Sequence, residues 1–391
     1  MITGDLDRAL ATAISSAGTW RPVPPGTAGA PRTYATTVAF RLASGHADGP
    51  AAVAASLAAR LRGLDWVETA TVTGGGYLVV TVTADALARL AVRITQAGRG
   101  CAHSSALAGT GLAGTGLIRP APAELASAQT WEEARQRVHA AVTARLAEAA
   151  GARVKHQQDA KRTAVPDCPA PVTAASPVTA ASRVTAAPAV TAASQATGSS
   201  PATGSSPATA PSVVAEAIAY AGADAITYAL ARLPPWGPAG VDAHRAAAHH
   251  LGNPAYAVRY AHAHAASALR QAADLGLDRG EAAQFQPRLL AHPSEQALLY
   301  ELSWLPERVA GAARRGRPDV LARYLEGLAG AYFDAQEACP AAWPGMAAPG
   351  VSPGERSAAA AAAARLWLAA ASRTALLTGL GLLGVSAPDR L

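Results

Sequence analysis

From Ser212 to the end of the chain, apolar residues return every three or four positions, the spacing of a helix face. Ser212 can cap a helix through Tyr220, and a second helix, Ala223 to Leu233, stops at Pro234 and Pro235. Asn253 and Pro254 supply a cap and a first-turn proline for a helix running to about Leu275. Further helices are predicted at Ser294 to Arg314, Pro318 to Cys339 and Ser357 to Gly379, so this region should form an all-α bundle.

The first part of the chain patterns differently. Tyr34 to Leu42 has a helical apolar pattern and Ala51 to Leu61 a second, Ala-rich one, whereas Trp66 to Val72 and Tyr77 to Thr83 alternate like two strands joined by Gly74, Gly75 and Gly76. Leu87 to Ile94 closes this α+β unit as a helix, and residues 101–116, rich in Gly, Ala and Thr, read as loop. Trp131 to Ala150 is an amphipathic helix with Thr130 as its cap, Glu132 and Glu133 in its first turn, Val138, Val142 and Leu146 on one face, and Gly151 ending it.

Between these regions, Thr163 to Ser212 has no aromatic residue and repeats PVTAAS and ATGSSP. Nothing there can offset the entropy of ordering by burial, so the stretch should be a disordered linker, spanning on the order of 40 Å as a coil. The expected layout is an α+β domain at 1–100, a loop and helix at 101–162, the linker at 163–212 and the helical domain at 213–391, two folded regions on a tether.

Composition sharpens this mostly-α picture. Half of the 391 residues are hydrophobic but only 5% aromatic, so the cores must be built from Ala, Leu and Val. The three cysteines, Cys101, Cys168 and Cys339, are too dispersed for a disulfide framework or a Cys-based zinc site. No cationic, apolar leader opens the sequence, and Arg365 and Arg373 interrupt the longest apolar tract. A cytoplasmic protein with no membrane partner is expected. The surplus of 33 basic over 27 acidic side chains is N-terminal, because residues 213–391 are balanced. Only Lys155 and Lys161 are lysines.

NPAYAVRYAHAHAASALR (Asn253 to Arg270) resembles the opening of the DALR anticodon-binding domain of arginyl-tRNA synthetases, and ARLWLAAASRTALLTGLGLLGVSAPDRL (Ala364 to Leu391) resembles that family's C-terminus. GADAITYALARLP (Gly222 to Pro234) is similar to the segment that follows the KMSKS loop in a synthetase. TYATTVAFRLA (Thr33 to Ala43) and VTGGGYLVVTV (Val72 to Val82) resemble motifs of the family's N-terminal domain. The resemblance implies a C-terminal bundle that binds the anticodon stem-loop of tRNA and an N-terminal domain that touches the tRNA elbow.

Between these ends, TARLAEAAGARV (Thr143 to Val154) matches the end of the family's post-HIGH helix, which puts Thr130, Trp131, Glu132 and Glu133 where HIGH should stand. Two carboxylates there would repel a triphosphate, and neither lysine lies in anything like KMSKS. The expectation is therefore no enzyme, no catalytic residue and no cofactor. The chain reads as a non-catalytic relative that binds tRNA, possessing no DNA or membrane partner and working beside another translation or tRNA-dependent enzyme. The alternatives are a protein-interaction module derived from the bundle and residual arginine-tRNA ligase activity with ATP.

Tyr256, Tyr260 and His264 fall at i, i+4 and i+8, one stripe on the predicted helix with Arg259 beside it. Such a stripe can stack unpaired bases or serve as core; the resemblance places Tyr260 next to the anticodon. The resemblance also assigns Tyr332 to an anticodon-facing helix, where the next aromatic position has become Gln336, and keeps an aromatic at Tyr77 while Thr37 and Val79 replace asparagines. The histidine pairs 249/250 and 262/264 lack the i, i+4 spacing of a helical zinc site, and GTGLAGTG (Gly109 to Gly116) lacks the GK[ST] ending of a phosphate loop. No metal is expected.

Overall fold

The computed structural model describes residues 2–11, 20–22, 32–43, 49–109, 118–119, 125–153, 155–156, 211–341 and 353–391. The expected linker lies outside the described residues apart from Pro211 and Ser212, as does the glycine-rich run beyond Gly109.

The N-terminal unit runs α1 (Ile2–Ala11), β1 (Trp20–Pro22), β2 (Thr33–Thr36), α2 (Val38–Leu42), α3 (Gly49–Arg62), β3 (Val67–Thr73), β4 (Tyr77–Val82), α4 (Ala84–Ala88) and α5 (Leu90–Ala97). The strands form one antiparallel sheet in the order β1-β2-β4-β3. Strand β4 alternates as a half-buried strand must, with Leu78, Val80 and Val82 inward and Tyr77 and Val79 on the opposite face. The hairpin turns through Gly74, Gly75 and Gly76, at φ 52°, 76° and 151°, a backbone path that side chains with a Cβ rarely follow.

Two expectations change here. Tyr34 to Leu42 is not one helix, because Tyr34, Ala35 and Thr36 pair with Val80, Val79 and Leu78 of β4, and helix begins only at Val38. Leu87 to Ile94 is likewise split, since Thr83 caps the short α4 through the Ala86 amide at 3.2 Å and α5 starts afresh after Arg89.

Strand β5 (Ile118–Arg119), helix α6 (Trp131–Ala149) and strand β6 (Lys155–His156) follow, the two short strands pairing in parallel. Helix α6 starts as its sequence dictates. The Thr130 hydroxyl accepts from the Glu133 amide at 3.2 Å, and the Glu133 carboxylate accepts from the Gln129 amide at 2.8 Å. Val138, Val142 and Leu146 are buried. Gly151, at φ 90°, lets the chain turn where a Cβ would lie 2.9 Å from the Ser104 carbonyl oxygen.

The remaining helices are α7 (Val213–Ala221), α8 (Ala223–Arg232), α9 (Ala243–Ala247), α10 (Pro254–Asp274), α11 (Pro293–Ser303), α12 (Leu305–Arg315), α13 (Pro318–Ala338) and α14 (Pro353–Leu383). The single helix expected at Ser294 to Arg314 is two. Pro306 has no amide to continue the hydrogen-bond ladder, so the chain breaks at Trp304 and restarts with proline in the first turn of α12. Over Arg356–Leu383, α14 is long and apolar enough to cross a membrane, but its most apolar window is mostly buried within the fold. The two cations within that apolar stretch are paired: Arg365 holds the buried Glu295 at 2.9 Å, and Arg373 holds Asp389 at 2.7 Å.

The two ends of the chain do not behave as separate bodies on a tether. Helix α14 packs along α5, and α6 packs along α12, so one apolar core runs through both regions. At its centre the Tyr34 ring lies 5.1 Å from Trp304 and 5.5 Å from Tyr300. The Tyr34 hydroxyl donates to Ser303 Oγ at 2.8 Å, and the Tyr300 hydroxyl donates to the Thr33 carbonyl at 2.9 Å. Burial of this kind welds the sheet to α11.

Candidate nucleic-acid interface

Asn253 builds the start of α10 in two directions. Its side-chain oxygen accepts from the Ala255 amide at 3.2 Å, while its amide nitrogen donates to the carbonyls of Ala246 and Ala248 at 2.9 and 2.7 Å. The cap therefore fixes the preceding loop to the first turn of the helix.

From that turn a row of rings extends. His249 stacks on Tyr256 with centroids 5.5 Å apart, Tyr256 on Tyr260 at 5.6 Å with planes 9° apart, and Tyr260 on Phe333 of α13 at 5.7 Å. His264 closes the row against Phe333 at 5.9 Å. His249 is exposed, while Tyr256, Tyr260, His264 and Phe333 are half-buried, so the row is held on one side and open on the other. Sequence spacing identified three of these rings. His249 and Phe333 were missed, because each enters the row from another element, and only the neighbour relation of Phe333 to Tyr332 pointed to that part of α13.

Three expected contacts are placed differently from the stripe. Tyr332 is fully buried, so its ring offers no face to a ligand; its hydroxyl instead meets His264 Nδ1 at 2.9 Å. Burial pushes its phenol up, so it stays neutral. Arg259 does not stand free beside the stripe: its guanidinium lies 3.5 Å from Asp224 of α8, which also accepts from the Ser386 amide at 3.1 Å. It ties α10 to the C-terminal tail. Tyr77 belongs to the N-terminal sheet and not to the ring row, 46% exposed on the hairpin, with Phe40 edge-on at 5.2 Å. Thr37 precedes α2 in that unit, and Val79 shares the strand face of Tyr77.

Beside the first turn of α10 lies a cavity of about 480 Å³, lined by Arg232, Asp242, His244, Arg245, His250 and Asn253 among others. That volume falls in the range of small-ligand sites. Arg232 is already engaged by Glu326 at 2.7 Å, and His244 Nδ1 meets the Tyr220 hydroxyl at 2.8 Å. Burial lowers the pKa of His264 and, more deeply in the fold, of His262, whose Nδ1 meets the Pro388 carbonyl at 3.1 Å. Both rings favour the neutral form, which at His264 suits ring contact rather than phosphate binding. The two carboxylates at the start of α6 have local work: Glu133 caps α6 and pairs with Arg137, and Glu132 pairs with Arg135 at 2.6 Å. Their arginine and backbone partners hold both below the usual carboxylate range.

Comparison with known proteins gives this row its context. Residues 258–391 match the DALR anticodon binding domain. Over its C-terminal half the chain is 40% identical, across 177 residues, to an arginine--tRNA ligase of Paenarthrobacter aurescens, a match covering 45% of this chain and 30% of the relative. An arginine--tRNA ligase of Micrococcus luteus is 39% identical over 176 residues, again 45% of this chain and 30% of the relative. The chain thus spans about 30% of the length of the curated relatives it matches. The fold resembles that of the Thermus thermophilus arginyl-tRNA synthetase, with a TM-score of 0.51 at 17% identity, covering 100% of this chain and 99% of that one. These findings overturn the expectation of no enzyme: the relatives are named as ligases, and the fold follows a synthetase, so the comparisons point to an enzyme family.

Proposed function

We propose that this chain is an arginyl-tRNA synthetase-related protein that binds tRNA in the cytoplasm, its C-terminal helical bundle taking the anticodon stem-loop on the ring row of α10 and α13. The observation that carries this reading is the open row of Tyr256, Tyr260 and Phe333, of which Tyr260 and Phe333 lie inside residues 258–391, the segment that matches an anticodon binding domain, and Tyr256 stacks on it from just before. Unpaired bases have two apolar faces, and a half-buried, pre-stacked row extends by one more ring at little ordering cost. Tyr332 acts through His264, by holding that imidazole beneath the row. Arg259 acts by fixing α10 to α8 and the tail, and Tyr77 with Phe40 gives the N-terminal unit a second aromatic contact. Another tRNA-dependent enzyme is the partner such a protein would serve.

The test is capture of total tRNA by the full chain at low and moderate salt, followed by sequencing of what is retained. Enrichment of particular tRNAs at both salts supports the reading. Recovery of no tRNA at either salt overturns it, and a protein retained after nuclease treatment would instead favour a docking module.

A further inference from the structure

A tRNA held on the ring row alone would lack partners for its phosphates. Arg259 is spent on Asp224, and residues 213–391 carry as many acids as bases. Affinity for a folded RNA depends on neutralised phosphates, so cations must be presented elsewhere on the molecule.

One corner of the molecule presents them around an exposed indole. Trp236, in the loop after α8, is 61% exposed. That loop is pinned rather than loose. The buried Arg135 of α6 donates to the Pro234 carbonyl at 3.2 Å and to the Gly237 carbonyl at 2.8 Å, and Gly237 turns at φ 91°. From the other side the Arg317 guanidinium lies 4.2 Å from the centre of the Trp236 ring, itself held by two 2.7 Å bonds to the buried Asp319. An indole and a guanidinium are thus locked face to face at the surface.

More arginines flank Arg317 along the chain. Arg314 and Arg315 are exposed in the last turn of α12 and have no carboxylate partner among the described residues. Arg323 is exposed one turn into α13, with Asp319 no nearer than 3.9 Å. Two acids near this corner are committed, Asp319 to Arg317 and Glu132 to Arg135, while Glu301 and Asp334 lie along the groove on the other side of Arg317 and Arg323. Arg315 Nε donates to the Gly311 carbonyl at 3.1 Å, which leaves the rest of its guanidinium free to solvent. A fixed aromatic face with exposed guanidinia on the adjoining helix ends fits an RNA backbone, with a base against the indole and phosphates on the arginines. Arg317 begins α13 and Phe333 lies further along the same helix, about 24 Å away at 1.5 Å per residue. The two surfaces sit at fixed separation on one rigid element.

We infer that Trp236, Arg314, Arg315 and Arg323 form a second RNA-contact surface that takes the sugar-phosphate backbone and one base of the same tRNA, apart from the ring row. The inference rests on the tRNA-binding reading above.

The experiment titrates total tRNA into the full chain and four forms of it: Trp236→Ala, the double change Arg314→Ala with Arg315→Ala, Arg323→Ala, and Tyr260→Ala as a marker of the ring row. Affinity is read across a salt series, with melting temperature on the same samples. Trp236→Ala should weaken binding roughly tenfold, as loss of one base stack does. The double change should reduce the slope of log affinity against log salt by about 1.5, the effect of losing two phosphate contacts, and Arg323→Ala by about half that. Melting temperatures should stay near that of the parent. If the parent binds no tRNA, both readings fall. If the parent binds, Tyr260→Ala weakens it and the corner changes alter neither affinity nor slope, this inference alone falls. A protein partner lost on Trp236→Ala while tRNA affinity holds would also overturn it.

Discussion

The molecule carries two groups of aromatic rings built from similar residues at similar helical spacing, and only one of them is open. Tyr300 and Trp304 stand i and i+4 on the α11 side of the core, as Tyr256 and Tyr260 do on α10. The first pair is covered by the N-terminal sheet through Tyr34, with Tyr34 and Trp304 fully buried. The second pair is flanked by Phe333, His264 and the exposed His249, and both of its rings remain only half-buried. Spacing along a helix therefore says which rings share a face; the partner element decides whether that face is glue or surface.

The largest effect should come from the closed group. Trp304→Ala removes a fully buried indole at the contact between the sheet and the bundle, and should cost about 3 to 5 kcal/mol. Because the core is continuous, the unfolding transition should remain single while its midpoint drops. Two separate transitions in the parent protein, only one of them shifted by the change, would break the picture of one shared core.

Tyr260→Ala tests the open group. Stability should fall by less than for Trp304→Ala, since the ring is half-buried, while tRNA affinity should weaken by about 1 to 3 kcal/mol, one base stack. Parallel measurement of melting temperature and affinity separates the effects. A loss of stability as large as that of Trp304→Ala would make the row core after all, and unchanged affinity would remove Tyr260 from the interface.

This contrast marks where the sequence was legible. Helices α6 and α10 could be read nearly to the residue because their ends are written locally, in Thr130 with Glu133 and in Asn253 with Pro254. The break between α11 and α12 was also written, in Pro306, but the apolar periodicity on both sides hid it. Strand β2 was not legible: Tyr34 to Leu42 has a helical pattern, and only pairing with β4, far along the chain, makes its first residues a strand. The candidate site divides in the same way. The i, i+4 stripe came from spacing, whereas the burial of Tyr332, the pairing of Arg259 with Asp224 and the seating of Arg317 on Trp236 depend on which helices meet. The acids at the start of α6 looked like an erased catalytic motif, yet they follow the rules of helix capping, which a motif comparison does not weigh.

A smaller test probes the seal of the closed group. Tyr34→Phe keeps the ring and removes the hydroxyl that donates to Ser303 Oγ, whose own hydroxyl donates to the Tyr300 carbonyl at 2.6 Å. The loss should be about 0.5 to 1.5 kcal/mol, the net value of a buried hydrogen bond, with tRNA affinity unchanged. A drop in affinity at constant stability would mean that the junction communicates with the open row.

The least effect, and the one that touches both stability and surface, belongs to His264. Burial depresses its folded pKa below the ordinary 6.5, so above that value the ring is neutral in both states and its full contribution is present. As pH falls below 6.5 the unfolded chain takes up the proton first, the unfolded state binds more protons, and stability declines until the folded pKa is passed. His139 and His262 are depressed by burial in the same direction, so the parent protein should lose stability between about pH 6.5 and 5 through several groups together. His264→Gln deletes one of them. Its melting temperature should therefore fall less than the parent's between pH 7.5 and pH 5.5, even if it starts lower because the Tyr332 hydroxyl has lost its imidazole partner. An equal fall in both proteins would mean that the ring of His264 titrates as freely in the fold as out of it, and that the row is more open at its Tyr332 end than the half-buried rings imply.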